Sequence, residues 1–277
     1  MPELPEVEVI CRGLSPLLVG KQINSVEIMC DKLRFPLPND LAENLRGLVF
    51  SSVSRRSKYL LFQFDVCSDK APVLVWHLGM TGQFHVLDQS SPVFKHEHVR
   101  VNLGNRTALC YRDTRRFGYA DLLSLQAIET HKWFIQLGPE PLEENFTVDY
   151  LIHCCENRKV PIKSLLMDAH VVVGVGNIYA NEALFRSGID PGKAAGSVSQ
   201  ERLSRLRDVI REVLNDAIAA GGSTISDFVK ADGKPGYFAH QFRVYGRENE
   251  PCYDCGKLIR RRVQSGRSTF YCLGCQC

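Results

Sequence analysis

The sequence predicts a multidomain α+β protein, on the basis of three observations. Short apolar or alternating runs recur between about residues 23 and 125, separated by turn-forming residues, as is typical of a β-sandwich or a β-barrel. Between about residues 143 and 230 the apolar residues follow a helical spacing. The final segment, 243–277, contains two closely spaced cysteine pairs, which indicate a small metal-binding module.

The first predicted element is a helix over residues 6–18, in which Val7, Ile10 and Leu14 fall on one face. Pro5 suits the start of this helix because its missing N–H group has no helical partner there. The strands that follow are predicted from apolar runs at 48–50, 59–64, 73–77, 84–87 and 99–103.

A stretch rich in glycine and proline, residues 137–141, is typical of a linker. We therefore divide the chain into a β-rich domain, 1–135, a helical domain, 136–242, and the cysteine module, 243–277. Within the helical domain a tight turn at 174–177 separates two helices, and Gly221 and Gly222 end the long one.

The bulk properties of the 277 residues favour a cytoplasmic protein with no membrane segment. No run of eighteen apolar residues is present. The acidic, proline-rich N-terminus is unlike a signal peptide. The eleven cysteines, an odd number, favour a reducing compartment.

The net charge of +3 does not by itself indicate nucleic acid, but the basic residues are grouped. Such groups bind phosphates or are simply solvated, and the charge pattern alone favours neither. The three groups are Arg55, Arg56 and Lys58; Arg112, Arg115 and Arg116; and Arg260, Arg261, Arg262 and Arg267.

Two CxxC pairs, separated by sixteen residues, predict a tetrahedral zinc site formed by Cys252, Cys255, Cys272 and Cys275. Four thiolates leave no open coordination position, so this Zn²⁺ is expected to be structural. The intervening residues are long enough for a β-hairpin. A redox pair is the alternative. The module does not identify a function, because zinc ribbons also occur in transcription and translation proteins.

The N-terminus offers a nucleophile. Removal of Met1 leaves Pro2 with a free secondary amine, and an α-amino group has a pKa of about 8. Its attack on a sugar C1′ gives an iminium ion that cannot lose a second proton, so it favours elimination at the sugar. Glu3 is placed to move protons. The alternative is an ordinary helix start that is rich in proline and glutamate.

Together with these features, a series of ordered motifs resembles the formamidopyrimidine-DNA glycosylases over the whole chain. The motifs are Met1–Glu8, Ser57–Leu60, His77–Gly82, Lys95–His98, Asp113–Gly118, Leu137–Pro141, Gly174–Tyr179, Asp232–Phe238 and the cysteine module. Thr114, where relatives often have proline, and Glu97, where aspartate is common, are departures that concern turn rigidity more than chemistry.

The resemblance implies a fold and an activity. The fold is an N-terminal β-sandwich with a flanking helix, a helix–two-turn–helix domain and a β-hairpin zinc finger. The activity is that of a monomeric, bifunctional enzyme that acts on damaged double-stranded DNA. It excises oxidised purines, such as 8-oxoguanine and formamidopyrimidines, and cleaves the abasic site by β,δ-elimination.

The resemblance also implies roles for individual residues. Pro2 is the Schiff-base nucleophile and Glu3 the catalytic acid. Lys58 donates a proton during β-elimination, and Arg267 grips the phosphates and assists δ-elimination. The DNA-binding residues implied are the intercalating Met80, Arg115 and Phe117, then Asn177, His96, Arg158 and Lys163. Residues 233–237 match a loop that closes over the lesion.

Two alternatives remain at this point. An endonuclease VIII-like glycosylase for oxidised pyrimidines is disfavoured by Leu4, because that group usually has Pro-Glu-Gly-Pro at its N-terminus. A non-catalytic DNA-binding zinc protein would share the finger and the basic groups but not the N-terminal chemistry.

Overall fold

The structure, a computed structural model, describes residues 2–68, 70–223 and 241–277. The described residues form two compact units. The first unit contains the residues up to Ile135 together with 221–223, and the second contains 136–220 and 241–277. Within the described residues, no helix has both the length and the apolar character that a membrane crossing requires.

The first unit is a β-sandwich with a helix packed on it. Its helices are α1 (Leu4–Leu18), α2 (Leu41–Leu45) and α3 (Leu125–Thr130). Its strands are β1 (Ile23–Ile28), β2 (Phe50–Arg56), β3 (Tyr59–Phe64), β4 (Pro72–His77), β5 (Gly82–Asp88), β6 (Glu97–Leu103), β7 (Thr107–Asp113) and β8 (Tyr119–Ser124). They form two antiparallel four-stranded sheets, with orders β1-β6-β7-β5 and β2-β3-β4-β8. The predicted β-sandwich is therefore confirmed, because the strands form two separate sheets and not one closed barrel.

Aromatic side chains from the two sheets meet in the core of this unit. Trp76 of one sheet lies 4.6 Å from Tyr111 and 5.2 Å from Phe84 of the other, between ring centroids. All three are buried, and such ring pairs add to the stability that burial alone provides. The alternation of inward and outward residues along each strand creates this packing.

Helix α1 buries the predicted face, including Val7, Ile10 and Leu14, in the same core. Each fully buried aliphatic side chain contributes about 1.5–3 kcal/mol. The helix begins at Leu4, two residues before the predicted start, because Pro5 lies inside the first turn and needs no N–H partner there.

The second unit is helical, with a cysteine-rich hairpin attached. Its elements are α4 (Val148–Cys155), α5 (Ile162–Leu166), α6 (Asn177–Arg186), α7 (Gln200–Ala219), β9 (Arg260–Gln264) and β10 (Arg267–Tyr271). Apolar faces of the four helices share one core, and α7 buries the residues whose spacing predicted it. The predicted hairpin between the cysteine pairs is confirmed, with Ser265 and Gly266 at positive φ in its turn.

A buried carboxylate joins the hairpin module to the helices. Glu182 of α6 accepts hydrogen bonds from the backbone N–H groups of Arg243, Val244 and Tyr245, at 2.9, 3.0 and 2.8 Å. Burial raises the pKa of Glu182, and the three N–H donors act against that rise. The segment leading into the module is therefore fixed by one side chain.

We expect Glu182→Ala to lower the free energy of unfolding by about 3 kcal/mol, because three buried backbone donors lose their acceptor. Glu182→Gln, which keeps one acceptor oxygen, should lose less. Glu201→Ala at the exposed start of α7 is the control. Thermal and urea denaturation measure the effect, and an Ala variant as stable as the control would contradict this account.

Candidate functional site

The N-terminal residues are held at the first turn of α1. Pro2 is buried, and Glu3 is only 3% exposed. Glu6, also buried, accepts a hydrogen bond from the backbone N–H of Glu3 at 2.9 Å. Glu6 also accepts from the N–H and hydroxyl of Ser223, at 2.9 and 2.8 Å. Its carboxylate thus ties the helix start to residues 221–223.

Lys58 lies in the two-residue turn between β2 and β3, where the preceding Ser57 has a φ of +56°. Arg55 donates to the Ser57 carbonyl at 2.8 Å and to the Glu8 carboxylate of α1 at 2.9 Å. Burial alone would raise the pKa of Glu8, but its bonds to Arg12 and Arg55 hold it below the ordinary value. The helix that follows Pro2 and Glu3 is therefore linked to the turn that presents Lys58.

His77, at the end of β4, is a site residue for which sequence analysis gave no role. Its ring stacks on Tyr119, with centroids 4.8 Å apart, and its Nδ1 accepts from the backbone N–H of Gly79 at 3.0 Å. Burial, followed by the charges of Lys58 and Arg34, lowers the pKa of His77 to about 3. The ring is therefore neutral near pH 7, and its proton lies on Nε2.

The three predicted intercalating residues come from two adjacent turns. Met80 lies between β4 and β5, and Arg115 and Phe117 lie between β7 and β8. Met80 is 37% and Phe117 42% exposed. The guanidinium of Arg115 lies 4.5 Å from the centroid of the Phe117 ring. The structure therefore presents the three as one exposed cluster.

The turns themselves are in close contact. A Cβ on Gly79, which has a φ of +64°, would lie 2.3 Å from the carbonyl carbon of Phe117. Only glycine fits there. His96, the other predicted DNA contact in this unit, is half-buried with a φ of +66°, and its carbonyl accepts from the N–H of Asp113 at 3.0 Å.

In the second unit, three predicted residues gather around the β9–β10 hairpin. Asn177, the first residue of α6, donates to the carbonyl of Ser268 at 3.0 Å. Lys163 of α5 donates to the same carbonyl at 3.2 Å and to the Thr269 hydroxyl at 2.8 Å. Arg267, the residue before Ser268, is exposed. The hairpin that carries Arg267 is therefore held by the ends of two helices.

Lys163 differs from the other predicted DNA contacts in being buried. It is only 1% exposed, and its ammonium binds hairpin acceptors inside the unit. A buried ammonium is stable only when it is paired in this way. Lys163 therefore positions the hairpin. Arg158, by contrast, is exposed after α4, as a DNA contact requires. The predicted lesion-covering loop, 233–237, lies outside the described residues.

The four module cysteines form a cluster. Their sulfur atoms lie within 4.8 Å of one another, with Cys252 and Cys275 3.8 Å apart and Cys255 and Cys272 3.3 Å apart. A tetrahedral zinc ion with Zn–S bonds of about 2.3 Å places its sulfurs about 3.8 Å apart. The donor set therefore fits a structural metal ion. A Cβ on Gly274 would lie 2.8 Å from the Cys255 sulfur, so this turn requires glycine.

Comparison with known proteins agrees with this geometry. Residues 1–120 match the formamidopyrimidine-DNA glycosylase N-terminal domain, and residues 137–229 match the H2TH domain of the same enzymes. The formamidopyrimidine-DNA glycosylase of Alteromonas mediterranea is 47% identical over 277 residues, which is 100% of both chains.

Two solved structures of the Lactococcus lactis enzyme are also similar. One is a complex with FAPY-dG-containing DNA (TM-score 0.90) and the other a complex with abasic-site DNA (TM-score 0.89). Each is 32% identical to this chain, and 99% of both chains is covered. The chain therefore belongs to the formamidopyrimidine-DNA glycosylase family of DNA-repair enzymes.

Proposed function

We propose that this protein is a bifunctional glycosylase and abasic-site lyase that removes 8-oxoguanine and formamidopyrimidines from duplex DNA. The observation that supports it most is the N-terminus, where Pro2 and Glu3 lie buried at the first turn of α1. The family membership supports the reaction class. The complexes of the Lactococcus lactis relative with FAPY-dG-containing and abasic-site DNA support the substrate class.

In the proposed reaction, the Pro2 nitrogen, freed by removal of Met1, attacks C1′ of the damaged nucleotide. The bond from C1′ to the base breaks, and the base leaves with a proton. Glu3 protonates the ring oxygen, the C1′–O4′ bond breaks, and the nitrogen lone pair forms a C1′ iminium. Because Pro2 is a secondary amine, the adduct stays cationic and withdraws electrons from the sugar.

Two eliminations follow from that iminium. Loss of the C2′ proton breaks the bond from C3′ to its phosphate oxygen, and Lys58 supplies a proton in this step. Loss of the C4′ proton then breaks the bond at C5′, with Arg267 holding the departing phosphate. An arginine suits this role because its planar guanidinium binds phosphate through two hydrogen bonds.

The proposed partner is damaged double-stranded DNA from which the target nucleotide is extruded. Met80 and Phe117 are exposed apolar side chains of the kind that wedge between base steps, and Arg115 is a long donor for the unpaired base. His96, Arg158 and Asn177 are proposed backbone contacts. A monomeric state, a cytoplasmic location and the three-domain division stay predictions.

Substrate preference separates the two glycosylase alternatives. We expect excision of 8-oxoguanine opposite cytosine to be at least about tenfold faster than excision of thymine glycol, because pockets that hydrogen-bond one base reject another strongly. Single-turnover excision from two otherwise identical duplexes measures this ratio. A preference for thymine glycol would support an endonuclease VIII-like enzyme instead.

Borohydride trapping tests the proposed nucleophile. The wild-type protein should form a covalent adduct with lesion-containing DNA, because borohydride reduces the iminium to a stable amine. Pro2→Gly and Glu3→Gln should form none, and Glu43→Gln on the exposed side of α2 is the control. A wild-type protein that binds this DNA but is never trapped would support the binding-only alternative.

We further propose that the cysteine cluster holds one structural Zn²⁺. Metal analysis should find one zinc ion per wild-type chain and none in Cys272→Ser, with Cys67→Ser as an exposed-cysteine control. Because metal binding and folding are coupled, Cys272→Ser should also lower DNA affinity by about tenfold or more. A zinc-free wild-type protein with full stability and DNA affinity would contradict this proposal.

A further inference from the structure

The two turns that present Met80, Arg115 and Phe117 converge on one carboxylate. Asp113 is the last residue of β7 and is 0% exposed. The turn that contains Met80 ends at Gly82, the first residue of β5, and Gly82 pairs with Asp113. The turn that contains Arg115 and Phe117 begins directly after Asp113. In the sequence, Asp113 is one acidic residue in an arginine-rich stretch.

Asp113 accepts four hydrogen bonds. Oδ1 accepts from the Thr81 hydroxyl at 2.5 Å and from the backbone N–H of Arg115 at 3.2 Å. Oδ2 accepts from the backbone N–H of Gly118 at 2.8 Å and from the Tyr111 hydroxyl at 3.2 Å. Thr81 follows Met80, and Gly118 follows Phe117, so the carboxylate is bonded next to every residue of the exposed cluster.

Thr81 connects the turns a second time. Its hydroxyl oxygen accepts from the N–H of Arg115 at 3.1 Å while the hydroxyl hydrogen is donated to Asp113. Among the described residues no cation pairs with Asp113, so the four donors are what compensates its buried charge. Moving either turn away would leave that charge without its partners.

Neither of the two glycines next to this carboxylate has room for a side chain. A Cβ on Gly118 would lie 1.8 Å from the Tyr111 hydroxyl and 3.1 Å from Oδ2 of Asp113. A Cβ on Gly82 would lie 2.4 Å from the same hydroxyl. The carboxylate, the tyrosine and three glycines, counting Gly79, therefore pack the two turns as one body.

We infer that Asp113 is a positioning residue that makes Met80, Arg115 and Phe117 a preformed wedge. This inference rests on the proposed function, in which the three side chains fill the space left by the extruded nucleotide. Turns whose backbone is ordered during folding lose less conformational entropy when DNA binds. Asp113 itself does not touch the reacting atoms, and it acts through the two turns.

The test compares Asp113→Asn with the pair Thr81→Val and Thr81→Ser. Asparagine has the shape of aspartate but lacks the charge, and its amide nitrogen cannot accept. Valine removes the hydroxyl that joins the turns, whereas serine retains it, so serine should restore wild-type behaviour. Asp88→Asn is the matched control, because Asp88 caps an exposed turn at the opposite end of the β5–β7 pair.

The first readout shows whether the variants lose base extrusion or the later chemical steps. Excision of 8-oxoguanine from an intact duplex should fall by about tenfold or more in Asp113→Asn and Thr81→Val, because extrusion from a paired stack needs the wedge. Strand scission of the same lesion in a bulged, unpaired strand should change by less than about threefold, since extrusion is then easy. Equal losses on both substrates would overturn the inference.

The second readout is amide hydrogen exchange of the free protein, which does not depend on activity. Exchange should accelerate together in residues 79–82 and 114–118 of Asp113→Asn and Thr81→Val, and not in Thr81→Ser or Asp88→Asn. If exchange in both turns is unchanged in Asp113→Asn and Thr81→Val, the inference is overturned, whatever the activity of these variants. A wild-type protein that excises no oxidised base would overturn the proposed function, while the exchange result still decides whether Asp113 holds the turns.

Discussion

Buried carboxylates that accept hydrogen bonds from backbone N–H groups fix the segments that carry the candidate site residues and the cysteine module. Backbone outside helices and strands has N–H groups without regular partners, and each must be satisfied when it is buried. An ionised carboxylate has two oxygens and about four acceptor positions, so one side chain can fix a whole turn. Glu6, Asp113 and Glu182 do this at the N-terminal helix, at the exposed cluster and at the hairpin module.

Whether water can replace the partners of a charged side chain determines how easily the segments around that side chain can move apart. A surface pair such as Arg186 and Asp216, whose side chains are partly exposed, loses little when it separates because water replaces the partner. Asp113 has no such substitute, since its four donors come from three short segments that are packed on it. Separation there leaves a buried charge unpaired, so the turns occupy one arrangement.

Periodicity and spacing predict most of the fold because they report on single elements. Strands β3, β4, β5 and β6 of the sandwich, the long helix α7 and the hairpin between the cysteine pairs follow from local patterns. The helix α1 begins two residues before its predicted start, because a proline is accepted anywhere in the first turn and so does not mark the boundary. The sequence also suggests the four cysteines as metal ligands through their spacing and, together with the family resemblance, Pro2 and Glu3 as candidate site residues.

The remaining site residues depend on contacts between distant segments, which local patterns do not report. Lysine is mostly exposed in proteins, so nothing in the sequence predicts that Lys163 of α5 is buried against the β9–β10 hairpin. His77 owes its neutral ring to burial and to the nearby charges of Lys58 and Arg34. Glu6 has the pattern of an ordinary first-turn acid, and only the fold shows that it also binds Ser223.

A nucleophile at the second residue of a chain sets an unusual requirement, because chain ends are normally the least ordered part of a domain. Here the end is fixed from two sides. The apolar face of α1 is buried in the sandwich core, and Glu6 connects the first turn to residues 221–223. The position of the proposed nucleophile therefore depends on the packing of α1 in the sandwich core and on the hydrogen bonds of Glu6.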